Sequence, residues 1–331
     1  MARAIDVPGL VERARSGEPR AVARLISLVE DASPELREVM AALNPLAGNA
    51  QIIGLTGAPG VGKSSATSAL VTAFRERGRT AGVLAIDPSS PFTGGALLGD
   101  RVRMQEHATD PGVFIRSMAS RGHLGGLSWA TPQAIRVLDA AGCEVILVET
   151  VGVGQAEVEI ASLADTTIVL VAPGMGDSIQ AAKAGILEIA DVFVVNKADR
   201  DGAEQTVRDL RSMQSLAPAT TPRSPSLDEA ALDDWRVPIV STVAVQGEGI
   251  GQVVEALDEH RAWLGTTGAL RRRRLARARA EITAIAVTAL RERMADPRGN
   301  QNLDALAEQV VKGACDPYAA ADRLVAEVIS P

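Results

Sequence analysis

The chain of 331 residues is poor in cysteine and aromatic residues, with two cysteines, four phenylalanines, three tryptophans and one tyrosine. Cys143 and Cys315 cannot build a disulfide framework and belong to no C-x-x-C pair, which favours a reducing compartment. With so few aromatic rings, a base-stacking surface is hard to build. No apolar run approaches the roughly 18–20 residues that span a bilayer, and no secretory signal is visible at the start. We therefore expect a cytoplasmic protein without a membrane partner.

Positive charge is also in short supply. Lysine and arginine total 34 against 41 acidic residues, and the formal net charge of −7 disfavours nucleic acid as a partner. The exception is an arginine cluster over residues 271–279. A solvated helix face or a subunit contact explains this cluster better than nucleic-acid binding does.

The hydropathy pattern divides the chain into three zones. Residues 1–48 repeat apolar positions at helical spacing, and we predict a small helical unit there. Residues 49–265 alternate short apolar runs with helical stretches, which predicts an α/β domain with a doubly wound, mostly parallel sheet. Residues 266–331 carry apolar stripes without strands, so this helical arm must pack on the α/β domain or on another copy of the chain, and we predict a homodimer contact there. The predicted strands are Gln51–Leu55, Gly82–Ile86, Val113–Arg116, Glu144–Val148, Thr166–Val171, Val192–Val195 and Pro238–Val243.

A phosphate-binding loop is predicted directly after the first strand. The segment Gly57-Ala58-Pro59-Gly60-Val61-Gly62-Lys63-Ser64 fits G-x-x-x-x-G-K-S, and a helical stretch that includes Ser65 follows it. The glycines let backbone N–H groups point at phosphate oxygens, and the helix N-terminus adds partial positive charge. Lys63 is expected to contact the β- and γ-phosphate oxygens, and the Ser64 hydroxyl to ligate Mg²⁺. The alternative, a glycine-rich turn with a coincidental lysine, is disfavoured by the flanking strand and helix.

Acidic residues at the ends of neighbouring strands are the candidate metal ligands, because Mg²⁺ prefers oxygen donors. Asp87 and Glu149 each follow an apolar run, Glu149 at the Walker B position, and Asp100 lies in the long loop after Asp87. Each of these carboxylates could instead cap a helix. The sequence thus predicts Ser64, Asp87, Asp100 and Glu149 as the magnesium ligands.

Glu149-Thr150-Val151-Gly152 has the E-x-x-G form of a γ-phosphate sensor. The absence of a side chain at Gly152 would let its N–H approach the γ-phosphate, so that hydrolysis releases the loop. Gln155 is a weaker candidate for orienting the attacking water. Lys63, Glu149, Gly152 and Gln155 form the predicted catalytic set.

A base-recognition loop follows the sixth predicted strand. In Asn196-Lys197-Ala198-Asp199, an N-K-x-D pattern, the Asp199 carboxylate can accept two hydrogen bonds from guanine, whereas adenine would leave it unpaired. Lys197 is expected to lie along the base, and Asn196 to tie this loop to the phosphate loop. Ser241, Thr242 and Val243 follow the last strand and are expected to contact the base through backbone groups. The predicted nucleotide is GTP.

Two further stretches resemble a known family: Ile86–Arg101 and Arg116–Gly126. With Glu149–Gln155 they closely resemble the methylmalonyl-CoA mutase-associated GTPases of the MeaB/ArgK type, which have a human mitochondrial relative. The resemblance implies a dimeric P-loop GTPase, dependent on Mg²⁺ and slow unless stimulated by its partner. It also implies a chaperone of adenosylcobalamin-dependent methylmalonyl-CoA mutase, which gates cofactor loading and protects or reactivates the enzyme.

The same resemblance assigns roles to individual positions. The family's magnesium-binding acids fall on Asp87, Asp100 and Glu149, and its additional switch, which senses the mutase, falls on 173–183. The predicted switch and partner residues are Asp177, Gln180, Lys183, Arg116 and Arg121. Either arginine could stabilise transition-state charge or contact the partner, or could pin its loop by pairing with a carboxylate.

Two other functions are alternatives. A nucleotide-dependent kinase or transport ATPase, a label this family has carried, predicts ATP turnover, which the N-K-x-D pattern disfavours. A metal-delivery GTPase needs exposed cysteine and histidine ligands. Three scattered histidines, and a Cys143 expected to be buried beside a strand, disfavour that reading.

Overall fold

The computed structural model describes residues 5–87, 104–119, 129–150, 155–174, 188–216, 235–294 and 297–329. The chain divides into two compact units, Met1–Arg274 and Leu275–Pro331. The first unit includes both the N-terminal helices and the sheet. The second begins inside a helix, later in the chain than the expected start of the arm at residue 266.

One sheet of seven strands forms the centre of the first unit in the described part of the chain. The strands are β1 (Gln51–Thr56), β2 (Ala81–Asp87), β3 (Val113–Ala119), β4 (Val145–Thr150), β5 (Thr166–Val171), β6 (Val192–Asn196) and β7 (Ile239–Thr242). Their order is β3-β2-β4-β1-β5-β6-β7, and each neighbouring pair is parallel. Strands β1, β4, β5 and β6 are buried along their whole length, as strands covered on both faces must be. The predicted α/β fold is confirmed.

Helices cover both faces of this sheet. The described helices are α1 (Val7–Arg15), α2 (Pro19–Glu30), α3 (Leu36–Leu43), α4 (Lys63–Glu76), α5 (Thr131–Ala140), α6 (Gln155–Leu163), α7 (Ala203–Leu216), α8 (Ile250–Thr266), α9 (Ala269–Met294), α10 (Pro297–Val311) and α11 (Pro317–Ile329). Helices α4 and α8 pack on one face around Ile53, Leu55 and Leu147. Helices α1–α3, α5 and α6 pack on the other around Ile52 and Ile146, and α7 packs beside Val169 and Phe193.

The strand order indicates which edge of the sheet can bind a ligand. Strand β1 lies between β4 and β5, and Leu55 is in register with Glu149. In open parallel sheets, ligands bind outside the carboxyl ends of the strands, where the strand order reverses. The carboxyl ends of β1, β4 and β6 therefore lie at the same edge of the sheet.

The second unit has a small core of its own. Leu306 of α10 packs with Ala320 and Leu324 of α11. In contrast, Ile282 and Ile285 on α9 are 67% and 53% exposed. None of the described helices is long and apolar enough to cross a membrane.

Candidate nucleotide-binding site

The loop between β1 and α4 has the backbone that a phosphate-binding loop requires. Gly57, Gly60 and Gly62 have φ angles of +145°, +80° and +94°, a region that residues with side chains rarely adopt. A Cβ atom at Gly62 would lie 2.5 Å from Asn196 Nδ2, so a side chain there would also collide with the base-recognition loop. Glycine is therefore needed at this position for both conformation and space.

Lys63 directs its ammonium group into the curve of this loop. The residue is 8% exposed, and its Nζ donates hydrogen bonds to the carbonyl oxygens of Gly57 at 2.6 Å and Ala58 at 3.1 Å. Pro59 and Gly60 form the exposed tip of the loop between them. A cation held inside a ring of backbone groups is suited to binding phosphate oxygens.

Glu149 lies beneath the start of α4 and is 4% exposed. The Ser64 hydroxyl donates to Glu149 Oε1 at 2.8 Å, and the Thr67 hydroxyl lies 2.9 Å from Glu149 Oε2. A hydroxyl and a carboxylate at this separation are the hard oxygen ligands that suit Mg²⁺, so these residues fit a magnesium ion. Thr67 was not among the residues predicted from the sequence. Its position one turn after Lys63, on the helix face shared with Ser64, is the signal that could have found it.

The other predicted phosphate-site residues are only partly described. The backbone of Asp87 ends β2 at the same sheet edge, since Ile86 is in register with Thr150 of β4. Gln155 begins α6. Asp100, Gly152, Arg121, Asp177, Gln180 and Lys183 lie outside the described residues, as does the segment 217–234.

Asn196 connects the base-recognition loop to the phosphate loop. Asn196 is the last residue of β6 and is 3% exposed. Its side-chain Nδ2 donates a hydrogen bond to the carbonyl oxygen of Val61 at 2.8 Å. Its Oδ1 accepts hydrogen bonds from Thr242 Oγ1 at 3.2 Å and from the Ala244 N–H at 3.1 Å. One amide side chain thus fixes three loops relative to one another. Ala244 was not among the residues singled out from the sequence, since its contact is made by the backbone.

Lys197 and Asp199 form the rim of the site. Lys197 has a φ of +59°, and its Nζ donates to the Gly60 carbonyl oxygen at 2.6 Å. The Asp199 side chain is exposed. Ser241 is also exposed, whereas the N–H of Val243 donates to Glu248 O at 3.1 Å. The base-recognition loop therefore presents one carboxylate beside the phosphate loop.

Arg116 points to a different part of the molecule. Its Nη2 donates to Glu30 Oε2 at 2.5 Å and to Ser27 Oγ at 3.3 Å, both on α2. This ion pair anchors β3 on the N-terminal helices.

A separate cavity of about 480 Å³ lies at the opposite edge of the sheet, lined in part by Arg79, Arg261 and Cys143. It contains none of the predicted site residues. Burial, with a smaller contribution from Asp139, raises the pKa of the Cys143 thiol to about 12. Cys143 is half-buried rather than fully buried as expected, and the described residues contain no group of three or more cysteine, histidine, aspartate or glutamate side chains that could hold a metal ion.

A family model described as "Methylmalonyl Co-A mutase-associated GTPase MeaB" matches residues 22–298. The chain belongs to the MeaB family. This MeaB-family chain is 47% identical over 320 residues to a Pyrococcus abyssi protein named as a GTPase, covering 97% of this chain and 96% of that one. It is also 36% identical over 264 residues to the GTPase ArgK of Escherichia coli, covering 78% and 77% of the two chains.

Among solved structures, the MeaB-family chain is similar to a LAO/AO transport system kinase. The TM-score is 0.70, with 24% sequence identity and full coverage of both chains. At this identity the likeness shows the fold alone. The comparisons thus confirm the predicted family and fold, and the relatives' names support GTPase activity.

Proposed function

We propose that this chain binds GTP with Mg²⁺ and hydrolyses it at the edge formed by β1, β4 and β6. The observation that carries the proposal is the Asn196 side chain, which joins the N-K-x-D loop to the phosphate loop through Val61 O at 2.8 Å. A protein that recognises the base and binds the phosphates of the same nucleotide needs these two loops at a fixed separation. Asn196 supplies that constraint.

The phosphate end of the site is built for charge stabilisation. Lys63 neutralises negative charge on the β- and γ-phosphate oxygens, and its ammonium already donates hydrogen bonds to two carbonyl oxygens of the loop. Ser64 and Glu149, together with Asp87 and Asp100, would hold Mg²⁺, which would neutralise phosphate charge when bound. Gly152 senses the γ-phosphate and Gln155 orients water in this proposal.

The base end supplies selectivity. Asp199 accepts two hydrogen bonds from guanine, and Lys197 lies along the base with its ammonium held by Gly60 O. Adenine would leave the Asp199 carboxylate without its donors. Backbone groups of Ser241, Thr242 and Val243 complete the contacts to the base.

We further propose that hydrolysis serves an adenosylcobalamin-dependent methylmalonyl-CoA mutase, with this chain as a chaperone that gates cofactor loading and protects or reactivates the enzyme. The family description, which names the mutase, supports this. Asp177, Gln180, Lys183 and Arg121 relay the partner's presence to the nucleotide in this proposal, whereas Arg116 pairs with Glu30 and is left out of the relay. The protein acts as a cytoplasmic homodimer, and the exposed apolar residues of α9 support dimerisation through residues 266–331.

The test is the rate of GTP hydrolysis with and without the mutase encoded by the same organism, loaded with cobalamin or free of it. We expect the mutase to raise the rate in at least one of these forms. An unchanged rate with both forms would remove the chaperone function and leave the GTPase activity standing.

A further inference from the structure

One buried hydroxyl of α4 contacts the predicted metal-binding carboxylate and belongs to no nucleotide-binding motif. Thr67 is fully buried, and its Oγ1 lies 2.9 Å from Glu149 Oε2 and 3.0 Å from Lys63 O. Thr67 itself belongs to neither the phosphate loop nor the predicted metal ligands. Its hydroxyl contacts the site through the Glu149 carboxylate and the backbone carbonyl of Lys63.

Two hydroxyl groups of α4, those of Ser64 and Thr67, contact different oxygens of the Glu149 carboxylate. Ser64 donates to Glu149 Oε1, and Thr67 faces Oε2. The terminal torsion of a glutamate is broad, so a single hydrogen bond leaves the carboxylate free to rotate about its axis. A second hydrogen bond at the other oxygen fixes the plane of the carboxylate. We propose that Thr67 is a positioning residue, which orients Glu149 for Mg²⁺ and so sets the affinity of the site for the metal.

The Thr67 hydroxyl has one proton and two acceptors within reach. A hydrogen bond to an ionised carboxylate is stronger than one to a neutral carbonyl, so the proton goes to Glu149 when that side chain is charged. The contact with Lys63 O, four residues earlier, is the local bond that threonines commonly form in helices. That contact also holds the hydroxyl rotamer that faces Glu149.

A purely structural threonine would fill space and bond to its own helix. Thr72, exposed on the same helix, makes only the second of these contacts, since its Oγ1 donates to Ser68 O at 3.2 Å. Comparing Thr67 with Thr72 therefore separates the contact with Glu149 from the effect of removing a helical hydroxyl.

The inference rests on the proposed GTP- and Mg²⁺-binding function. The experiment measures GDP binding to the full-length chain across a Mg²⁺ titration, for the wild type, Thr67→Val, Thr67→Ser and the control Thr72→Val. Substituting a residue that orients a metal ligand typically weakens metal binding by about 10–100-fold. We expect Thr67→Val to raise the half-saturating Mg²⁺ concentration by about that factor, with GDP affinity in EDTA unchanged. Thr67→Ser and Thr72→Val should stay within about threefold of the wild type.

Two outcomes overturn the inference in distinguishable ways. A folded Thr67→Val protein with the Mg²⁺ dependence of the wild type would remove the positioning role and leave the proposed function intact. A wild-type chain that binds no guanine nucleotide at any Mg²⁺ concentration would overturn the proposed function, and this inference with it. If Thr67→Val does not fold, Thr67→Ala takes its place, because it introduces no additional methyl group beside Glu149.

Discussion

Within the described residues, the ammonium of Lys63 lies inside the curve of the predicted phosphate loop. Removing it leaves the backbone amides of the loop but takes away a full positive charge where negative charge develops. We predict that Lys63→Ala lowers the rate of GTP hydrolysis by at least about 100-fold. Phosphate release under single-turnover conditions, with circular dichroism to check folding, measures this. A folded variant with more than a tenth of the wild-type rate would contradict the assigned role.

In the proposed function, Asp199 determines which base is bound and takes no part in the hydrolysis step. A site that pairs with donor groups rejects a ligand lacking them, so the carboxylate matters for GTP and little for ATP. We predict that Asp199→Ala weakens GTP binding by about 100-fold or more and changes ATP binding by less than about threefold. Displacement of one bound fluorescent nucleotide by GTP and by ATP gives the dissociation constants of both. An equal loss for GTP and ATP would count against the base-site assignment.

These site residues were predictable to different degrees. The phosphate loop, Glu149 and N-K-x-D could be read from the chain because each occupies a short segment next to an apolar run. Thr67 and Ala244 could not, because their contacts join segments far apart in the chain. Thr67 lies opposite Glu149 only once β4 is in register with β1, and Ala244 uses its backbone N–H. The nucleotide roles of the predicted residues stay predictions.

The first turns of α9 anchor this helix on the sheet. Arg273 donates to both carboxylate oxygens of Asp191, at 2.9 and 2.8 Å, and Arg274 donates to Asp165 Oδ2 at 2.7 Å. The acidic partners directly precede β6 and β5. The arginine cluster was expected to be solvated or to contact a subunit, but these two arginines pair within the chain. The sequence could not reveal this, because Asp165 and Asp191 become neighbours of α9 only in the folded sheet.

The Asp191–Arg273 pair also makes stability depend on pH. Burial opposes the charge on Asp191, but the Arg273 guanidinium, the neighbouring His260 and the Thr167 N–H outweigh it and hold the pKa of Asp191 below its ordinary value. A depressed carboxylate pKa contributes stability above the unfolded-state pKa, and this contribution is lost as the pH falls through the lower folded-state value.

We predict that Arg273→Met lowers the free energy of unfolding by about 3 kcal/mol at pH 7, because it leaves the Asp191 charge buried without its cation. The difference from the wild type should narrow as the pH falls from 7 toward 3, because without the guanidinium Asp191 binds a proton at a higher pH than it does in the wild type. Urea denaturation between pH 3 and 7 measures both effects. The control is Arg271→Met at an exposed position, which should lower the free energy of unfolding by less than about 0.5 kcal/mol. A constant difference across this pH range would contradict the assignment.

The elements of the sheet were largely predictable. All seven apolar runs became strands, because a strand buried on both faces must be apolar nearly throughout. The strand order and register were not predictable in the same way, since they depend on packing between distant segments. The division of the chain at Arg274 falls within α9, where helical periodicity gives no sign of a boundary.

The proposed homodimer depends on exposed apolar residues of α9. Ile282 and Ile285 are 67% and 53% exposed, and apolar side chains on one helix favour burial against a second copy. We predict a dimer at micromolar concentration and a monomer for the double variant Ile282→Glu, Ile285→Glu. Sedimentation velocity distinguishes the two states. Thr283→Glu places the same charge at an exposed neighbouring position and should weaken the dimer less. A monomeric wild type would contradict the prediction.

Binding of a guanine nucleotide tests the account most directly. Isothermal titration calorimetry of GDP into the purified full-length chain, with and without Mg²⁺, measures the affinity and stoichiometry at once. We expect one nucleotide per chain, bound more tightly with Mg²⁺ and at least tenfold more weakly by Lys63→Ala, since the ammonium is removed from the phosphate loop. Heats no larger than those of dilution, for a folded protein in millimolar Mg²⁺, would contradict the account.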